Sequence, residues 1–469
     1  MKTTVAGGLG VMLLAVLVGL AIPKPEDVPS PEKHDLPQAT VLPDISIWHW
    51  SSGRTLSDAE RADLTALPVA TFMQWAGSID LVNGIPKWNS RGGAVRGLDA
   101  VPRWSVMRIE VRCLPLLGTP AVDALVALVI QKVPPGSAGL QIDCDSPIRL
   151  LPAYGNFLAA VRKRLPPNMG FSCTGLLSWL SSQDLGTTLT AVDWWVPQCY
   201  STSVPKDPAK ANRLSGGGDV TRVIECCEAL QKPYRIGLPT FEQVTWWNPD
   251  HTLRNAAVSV SLEELLAAGL VPVVQKAVEE RLLRFEIPAD VSVGSLRLQA
   301  GSTLLCGQPT VAGLSTRMHD VRAAAKTYFR GMSLFRLAGN GDLPALSTAQ
   351  LVAADQGAVV ASDITWRWSG APGSWSLTLS NRGLADLVAI TDPLCVVVDA
   401  TCEVQAPILA GGIQLFPSLA GEPVAPAHAT DVLIKIPFLR AGHDVTLPAF
   451  ICTNISAPSC HLRIAKGLP

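Results

Sequence analysis

The sequence predicts an α/β fold in which eight parallel strands close into a TIM-like (β/α)8 barrel, followed by a C-terminal all-β, sandwich-like domain. Three observations lead to this prediction. Short strand-type runs recur between helical segments from residue 45 to residue 355. Polar side chains gather at the C-terminal ends of those runs. Beyond about Asp355, helical segments stop and only short alternating runs remain.

The elements follow from local patterns along the chain. Ser57, with Glu60 three residues later, predicts a capping box, and Pro120 stands in the first turn of a helical run that ends at Val133. The predicted strands are Ile45–Trp50, Val69–Trp75, Val106–Cys113, Gly139–Asp145, Gly170–Thr174, Val192–Tyr200, Tyr234–Pro239 and Gly331–Leu337. An open doubly wound sheet is the alternative, because the number of strands alone does not decide whether a barrel closes.

Composition shifts predict the domain boundaries. We expect the barrel to span residues 44–355, with an insertion at about 240–328, and the β-sandwich-like domain to span residues 356–469. The insertion contains helical runs near Leu262–Ala268 and Val274–Leu283 and β-type runs around 285–305. A structureless connection of that length would be unusual, so we expect a lid or small subdomain over the barrel mouth.

The N-terminus has the pattern of a targeting segment. Lys2 precedes an apolar run, Val5–Ile22, with small residues near its end and Pro23 after it. The run is long enough to span a bilayer, so residues 1–22 are either a signal peptide or an uncleaved N-terminal anchor. Residues 23–43 form a Pro-rich linker. We therefore expect a secreted or periplasmic protein, either free or held at the inner membrane by this segment.

Composition narrows the function classes. The chain is 48% hydrophobic and 16% charged, with a net charge of −1 and no basic stripe, which argues against nucleic-acid binding. It has no phosphate-binding loop, dinucleotide fingerprint or paired-His spacing, so neither a metal nor a cofactor is predicted. Cys395/Cys402 and Cys452/Cys460 are candidate disulfide pairs of an exported protein.

The most informative stretch is Gly139–Pro147, G-L-Q-I-D-C-D-S-P. Its apolar residues take one face of a strand, so Asp143 and Asp145 share the other face. Two carboxylates this close repel each other, and they suit acid/base work in which one holds a proton and the other stays ionised as base or nucleophile. Glu110, on the preceding strand, is the alternative acid. A salt-bridge network with Arg108 and Arg336 that only ties the strands together is the structural alternative.

Aromatic and polar residues near these carboxylates predict a saccharide site. Indole rings stack on the apolar faces of sugars, and amide and phenol groups bind their hydroxyls. For each Trp, core packing is the alternative. The predicted substrate-binding residues are Arg108, Gln198, Tyr200, Arg336, Trp50, Trp75, Trp246 and Trp247.

Several segments together carry a resemblance to a known family. Q-I-D-C-D, F-S-C-T-G-L-L-S-W, D-W-W-V-P-Q-C-Y and Y-R-I-G-L-P-T-F, within roughly Ile45–Asp355, resemble a bacterial family of uncharacterised exported proteins regarded as glycoside-hydrolase-like barrels. A more remote similarity is to chitinase-type hydrolases, whose fourth strand carries D-x-D-x-E. Asp143 and Asp145 match its aspartates, and Gln198 and Tyr200 match a sixth-strand pair of those enzymes. Pro147 stands where they keep the acid Glu.

The sequence therefore predicts a glycoside-hydrolase-like protein that acts on an unidentified glycan through the paired carboxylates Asp143 and Asp145. The alternative is a non-catalytic glycan-binding or envelope-assembly protein built on a degenerate barrel. Pro147 favours this alternative, because a prolyl ring cannot donate a proton.

Overall fold

We analysed a computed structural model of the chain. It describes residues 44–50, 53–89, 92–93, 95–97, 101–200, 207–208, 219–255, 258–275, 280–338, 344–371, 373–389, 394–403, 414–416, 429–447, 450–452 and 459–464. The predicted signal or anchor and the linker lie outside these residues. In the described part of the chain, no helix has the length and hydrophobicity required to cross a bilayer.

Eight parallel strands form a closed barrel. They are β1 (Ile45–His49), β2 (Val69–Val82), β3 (Arg103–Ile109), β4 (Gly139–Asp143), β5 (Gly170–Gly175), β6 (Trp194–Pro197), β7 (Tyr234–Pro239) and β8 (Phe329–Phe335). Each strand pairs with its sequence neighbour, and β1 pairs with both β2 and β8, which closes the ring. The (β/α)8 prediction is therefore confirmed, and the open sheet is excluded.

Helices surround the barrel. They are α1 (Asp58–Ala66), α2 (Val122–Gln131), α3 (Leu151–Arg164), α4 (Leu185–Thr188), α5 (Val220–Ala229), α6 (Leu262–Ala267), α7 (Val311–Ala324) and α8 (Thr348–Asp355), of which α6 belongs to the insertion. The predicted capping box at Ser57 is present. No helix follows β2 among the described residues. Instead, the strand Ile85–Asn89 folds back antiparallel onto the second half of β2.

Five predicted strands end earlier than expected. The first ends at His49, the fourth at Asp143, so that Asp145 lies beyond it, and the eighth at Phe335. The third ends at Ile109, because the short 3-10 helix Val111–Leu116, which contains Pro115, begins directly after Glu110. The sixth ends at Pro197, so Gln198 and Tyr200 lie beyond the strand rather than on it. As a result, the polar residues lie at the barrel mouth.

Side chains of the strands alternate between two cores. The residues facing outward, such as Ile45, Leu140 and Ile142, join the helices in one large apolar core. Those facing inward fill the barrel, where Trp48 packs with Val106 among others. At the N-terminal end of the lumen, the ring of Trp104 lies against Gly139 and Gly170, where a side chain would overlap it. Only the C-terminal end is therefore left for a site.

The insertion between β7 and β8 has its own sheet and apolar core. Its five antiparallel strands, in spatial order, are Leu253–Asn255, Gln243–Trp247, Thr303–Pro309, Glu280–Glu286 and Val273–Gln275. The helix predicted at Val274–Leu283 is wrong, because β-branched Val273 and Val274 pair with Arg284 and Leu283 in this sheet. Helix α7 packs into the barrel core instead of the insertion.

The C-terminal region is β-rich, as predicted. Its main sheet has eight strands, which are Ile364–Ala371, Ser374–Asn381, Leu394–Glu403, Gln414–Phe416, Ala429–Ile436, Asp444–Thr446, Phe450–Cys452 and Ser459–Ile464. A ribbon of Leu387–Val388 and Phe438–Leu439 completes it. The side chains of the candidate disulfide cysteines lie outside the described set.

Candidate functional site at the barrel mouth

Neighbouring strand ends bring the predicted acidic residues together around one arginine. Arg108 on β3 and Asp143 on β4 occupy the same register position. The Arg108 guanidinium donates to Asp143 at 2.6 Å and to Asp145 at 2.8 Å, and its Nε lies 3.6 Å from Glu110. All three predicted catalytic carboxylates therefore share one counterion.

Asp143 is the buried member of this group, at 5% exposure. Besides Arg108, the hydroxyl of Thr174 donates to its Oδ1 at 2.7 Å, and the side-chain amide of Gln198 donates to the same oxygen at 3.2 Å. Burial raises the pKa of Asp143 above its usual value, and the Arg108 charge acts against that rise. Since all three neighbours are donors, the contacts favour the ionised carboxylate.

Arg108 is fixed as a permanent cation. Burial alone would lower its pKa, but the charges of Asp143 and Asp145 outweigh burial, so the pKa of the guanidinium rises further. The side chain is 27% exposed. Its planar fork, with one terminal nitrogen on each Asp, holds the two carboxylates in a defined geometry.

Asp145 and Glu110 are the carboxylates that reach solvent. Their side chains are 32% and 33% exposed, compared with 7% for Asp143. Asp143 and Asp145 therefore have different surroundings, because β4 ends at Asp143 and Asp145 lies beyond the strand.

A cavity of about 200 Å³ opens beside this group. Its lining residues are Trp48, Trp50, Val106, Arg108, Asp143, Thr174, Gln198, Tyr200 and Phe335. Tyr200 and Phe335 stack with ring centroids 5.1 Å apart, and Trp50 meets Phe335 edge-on at 5.7 Å. Trp75 stacks behind Trp50 at 5.4 Å. The cavity lining thus combines several aromatic rings with polar groups held by hydrogen bonds.

Tyr200 has an unusual position in this lining. The residue is 9% exposed, and its ring packs among those of Trp48, Phe241 and Phe335. Burial, followed by the charges of Asp143 and Asp145, raises the pKa of Tyr200 well above its usual value. The phenol therefore stays protonated at neutral pH.

Buried polar residues beneath the cavity support it. The Trp48 indole donates to Gln141 at 2.7 Å, and Gln141 donates to Ser172 at 3.1 Å. Sequence reasoning missed the roles of Gln141, Thr174 and Phe335. For Gln141 a signal was present, because it shares the strand face of Asp143.

Three predicted binding residues lie elsewhere. Trp246 and Trp247 are 6% and 0% exposed within the insertion, because they belong to a central strand of its sheet, and neither lines the cavity. Arg254 covers the Trp246 ring at 4.4 Å. Arg336 packs over the ring of Phe241 at 5.9 Å, outside the cavity lining. The expectation that these residues reach the site is therefore corrected.

Within the described residues, no group of three or more His, Cys, Asp or Glu side chains is arranged to hold a metal ion. A larger cavity, of about 400 Å³, lies beside Trp88 and Lys132 and contains none of the clustered carboxylates. The cavity at the mouth is therefore the candidate site.

The fold and this site define a (β/α)8-barrel protein with an acidic, aromatic-walled cavity at the barrel mouth. Residues 99–268 match the family model described as "Domain of unknown function (DUF3142)". This match agrees with the resemblance to a family of uncharacterised proteins. No curated protein matches the chain in a sequence search.

Solved structures similar to this chain include three glycan-related enzymes. The Bacillus cereus spore cortex-lytic enzyme SleL is 14% identical over 67% of this chain and 75% of its own, with a TM-score of 0.42. A class V chitinase from Pseudomonas fluorescens is 15% identical to this chain. The match covers 67% of this chain and 99% of the chitinase, with a TM-score of 0.42. A glycoside hydrolase family 18 N-acetylglucosaminidase from Paenibacillus barengoltzii is 10% identical to this chain. The match covers 66% of this chain and 100% of that enzyme, with a TM-score of 0.40. These names describe those proteins, and the barrel here is defined by its own strand pairings.

Proposed function

We propose that this protein binds the terminal residue of a glycan in the cavity at the barrel mouth. The observation that carries the proposal is the lining of that cavity. The rings of Trp50, Tyr200 and Phe335 line it together with the polar groups of Arg108 and Asp143. Sugars combine apolar ring faces with polar hydroxyls, so a site for them needs both kinds of surface.

The size of the cavity sets the length of the ligand. A volume of about 200 Å³ lies below the roughly 300–1,000 Å³ typical of drug-sized ligands. It suits one sugar ring rather than an oligosaccharide. The N-terminal apolar segment supports export, which would place the site among cell-envelope or extracellular polysaccharides.

Binding without cleavage fits the acidic group better than the chitinase-type mechanism does. Pro147, in the position of the acid Glu, precedes a short 3-10 helix and has no proton to give. Asp143 accepts hydrogen bonds from three donors, so its contacts hold it as an anion that positions Arg108 and Gln198.

Hydrolysis is the second candidate function, and it is favoured by the exposure of Asp145 and Glu110. They follow neighbouring strands, reach solvent and share Arg108. An acid/base pair needs two such groups within reach of one glycosidic bond. If the protein cleaves glycans, we propose this pair rather than Asp143 as the acid and base.

Calorimetry with short oligosaccharides tests the proposal. We expect wild type to bind at least one glycan end, and Trp50→Ala to weaken that binding by about 1 kcal/mol, roughly fivefold. Trp368→Ala, on the C-terminal sheet, is the matched control and should bind as wild type does. Equal binding by the Trp50 variant, or no binding across a panel of envelope glycans, would overturn the proposal.

The same mixtures separate binding from cleavage. New reducing ends that appear with wild type and disappear with Asp145→Asn and Glu110→Gln would select hydrolysis. Bound glycan recovered intact after long incubation would select recognition alone.

A further inference from the structure

We propose a second binding site, on the outer side of the barrel, for a sugar that carries an anionic group. The site is the cavity of about 400 Å³ beside β2 and β3. Its described lining shares no residue with that of the cavity at the barrel mouth. The inference therefore goes beyond the proposed function and does not depend on it.

The cavity lies where β2 leads into a strand rather than a helix. The strand Ile85–Asn89 pairs only with the second half of β2, from Ser78 to Val82. Gln74 and Ala76 precede that half, and both line the cavity. The hairpin therefore leaves the preceding stretch of β2 to border a cavity.

Polar side chains line this part of the outer surface. Gln74 on β2 and Ser105 on β3 occupy the same register position. The Gln74 amide donates to the Gly93 carbonyl at 3.1 Å, and the hydroxyl oxygens of Ser105 and Ser137 lie 2.6 Å apart. Ile142 on β4, by contrast, is an outward-facing residue of the apolar core. Amide and hydroxyl groups held in this way can exchange hydrogen bonds with the hydroxyls of a sugar.

The charged residues of the lining are cations. Arg103 stands two residues before Ser105, so it projects from the same outer face of β3, and Lys132 directly follows α2. No aspartate or glutamate is among the described lining residues. A guanidinium carries five donors in a planar fork, which matches the two oxygens of a carboxylate and leaves donors for contacts within the protein. The two cations therefore favour an anionic ligand.

An aromatic ring and the size of the cavity favour a sugar over a bare inorganic ion. Trp88 lines the cavity, and its ring lies so close to Gly77 that an added Cβ would be 2.6 Å from it. Indole rings suit the apolar faces of sugars. A volume of about 400 Å³ also lies within the roughly 300–1,000 Å³ typical of small-molecule sites.

The charge of the lining sets the class of sugar. A neutral sugar would gain no attraction from the charges of Arg103 and Lys132, and both cations would repel an amino sugar. Carboxylate, sulfate and phosphate groups all carry the required charge. The ligand class is therefore an anionic sugar, and separate probes distinguish the three groups.

Calorimetry on the full chain tests this inference. The probes are a galacturonic acid trimer, the neutral galactose trimer, glucose 6-sulfate, glucose 6-phosphate and inorganic phosphate. We expect at least one anionic sugar to bind more tightly than inorganic phosphate does, and added salt to weaken that binding. Lys132→Met and Arg103→Met should each weaken it by about tenfold and leave any binding of the neutral trimer unchanged. Lys163→Met, at an exposed position on α3, is the matched control and should bind as wild type does.

The outcomes separate this site from the one at the barrel mouth. Unchanged affinity in Lys132→Met and Arg103→Met, or equal binding of inorganic phosphate, would overturn the inference. Trp50→Ala should leave binding of the anionic sugar unchanged, and a loss as large as that in Lys132→Met would assign the ligand to the mouth instead. If neutral glycans bind in a manner that depends on Trp50 and no anionic sugar binds, this inference fails and the proposed function stands. Circular dichroism shows whether each variant is folded.

Discussion

Arg108 and Asp143 lie side by side at the same register position of two parallel strands, and their ion pair is 2.6 Å long. The Asp143 side chain is 7% exposed, so its charge depends on this partner. Asp145 and Glu110 join the same guanidinium from the solvent side. The pair is therefore both a structural link between strands and the floor of the candidate site.

Removal of the arginine should be costly. Arg108→Met leaves the Asp143 charge buried without a counterion, and we expect the free energy of unfolding to fall by about 3 kcal/mol at neutral pH. The deficit should shrink in acid, because the carboxyl group can then take up a proton. Urea titrations of wild type and variant at neutral and at acidic pH measure this difference in the free energy of unfolding. Adding Asp143→Asn should restore part of the loss, and an equally unstable double variant would contradict the explanation.

His49 should make stability depend on pH. Burial, followed by the charges of Arg54 and Arg336, lowers its pKa from 6.5 to about 4. The unfolded chain therefore binds a proton at a higher pH than the native protein does. Native stability from this group is complete above about pH 6.5 and declines as the pH falls to about 4, by up to about 3 kcal/mol.

The His49→Phe variant isolates this contribution, since a phenyl ring can stack on Phe72 as the imidazole does. The stability difference between wild type and variant should change sharply between pH 7 and about pH 4. The same comparison with His319→Gln, at an exposed position on α7, is the control. Parallel curves for wild type and His49→Phe would refute the assignment.

Arg440 of the C-terminal region forms ion pairs with the insertion, and these should stabilise the fold. Its guanidinium binds Glu263 at 2.6 Å and Glu242 at 2.9 Å, and the Glu242 side chain is 1% exposed. In Arg440→Met the buried Glu242 carboxylate loses its counterion. We therefore expect the free energy of unfolding, measured by heat or urea, to fall by about 3 kcal/mol. Arg382→Met breaks an exposed pair with Asp444 and should cost less than about 1 kcal/mol. If both variants lose a similar free energy of unfolding, the buried ion pairs of Arg440 are not a special source of stability.

The lower end of the lumen should tolerate no added side chain. In Gly139→Ala the new methyl group would overlap the indole of Trp104, which also lies against Gly170. We expect destabilisation of about 2 kcal/mol from the forced repacking. Gly186→Ala on α4 is the control, because its new methyl group would have its nearest neighbour, Leu230, 4.0 Å away. Equal unfolding midpoints for the two variants would show that the lumen accommodates the added methyl group.

Local patterns were sufficient for much of the barrel. Alternation along G-L-Q-I-D-C-D correctly predicts that Asp143 faces away from Ile142, because the side-chain period of a strand is a local property. Capping at Ser57 likewise starts a helix where expected. Strand ends were harder to predict, as at β3, where a short 3-10 helix begins directly after Glu110.

The site itself depended on contacts between distant segments. No local pattern indicates that Phe335 stacks on Tyr200, since they come from strands separated by the insertion. The same holds for Trp246, which is predicted as a binding residue but lies on an inner strand of a separate sheet.

The sequence by itself determined the order of strands and helices, the inward face of β4 and the supply of carboxylates and aromatic rings. Tertiary structure alone decided that the ring closes, that Arg108 serves three carboxylates and that only part of the aromatic set borders the cavity. The physical reason is the separation along the chain of the residues that interact. Side-chain direction within a strand is fixed by its own backbone, whereas burial and charge pairing are set by whichever strands become neighbours when the barrel forms.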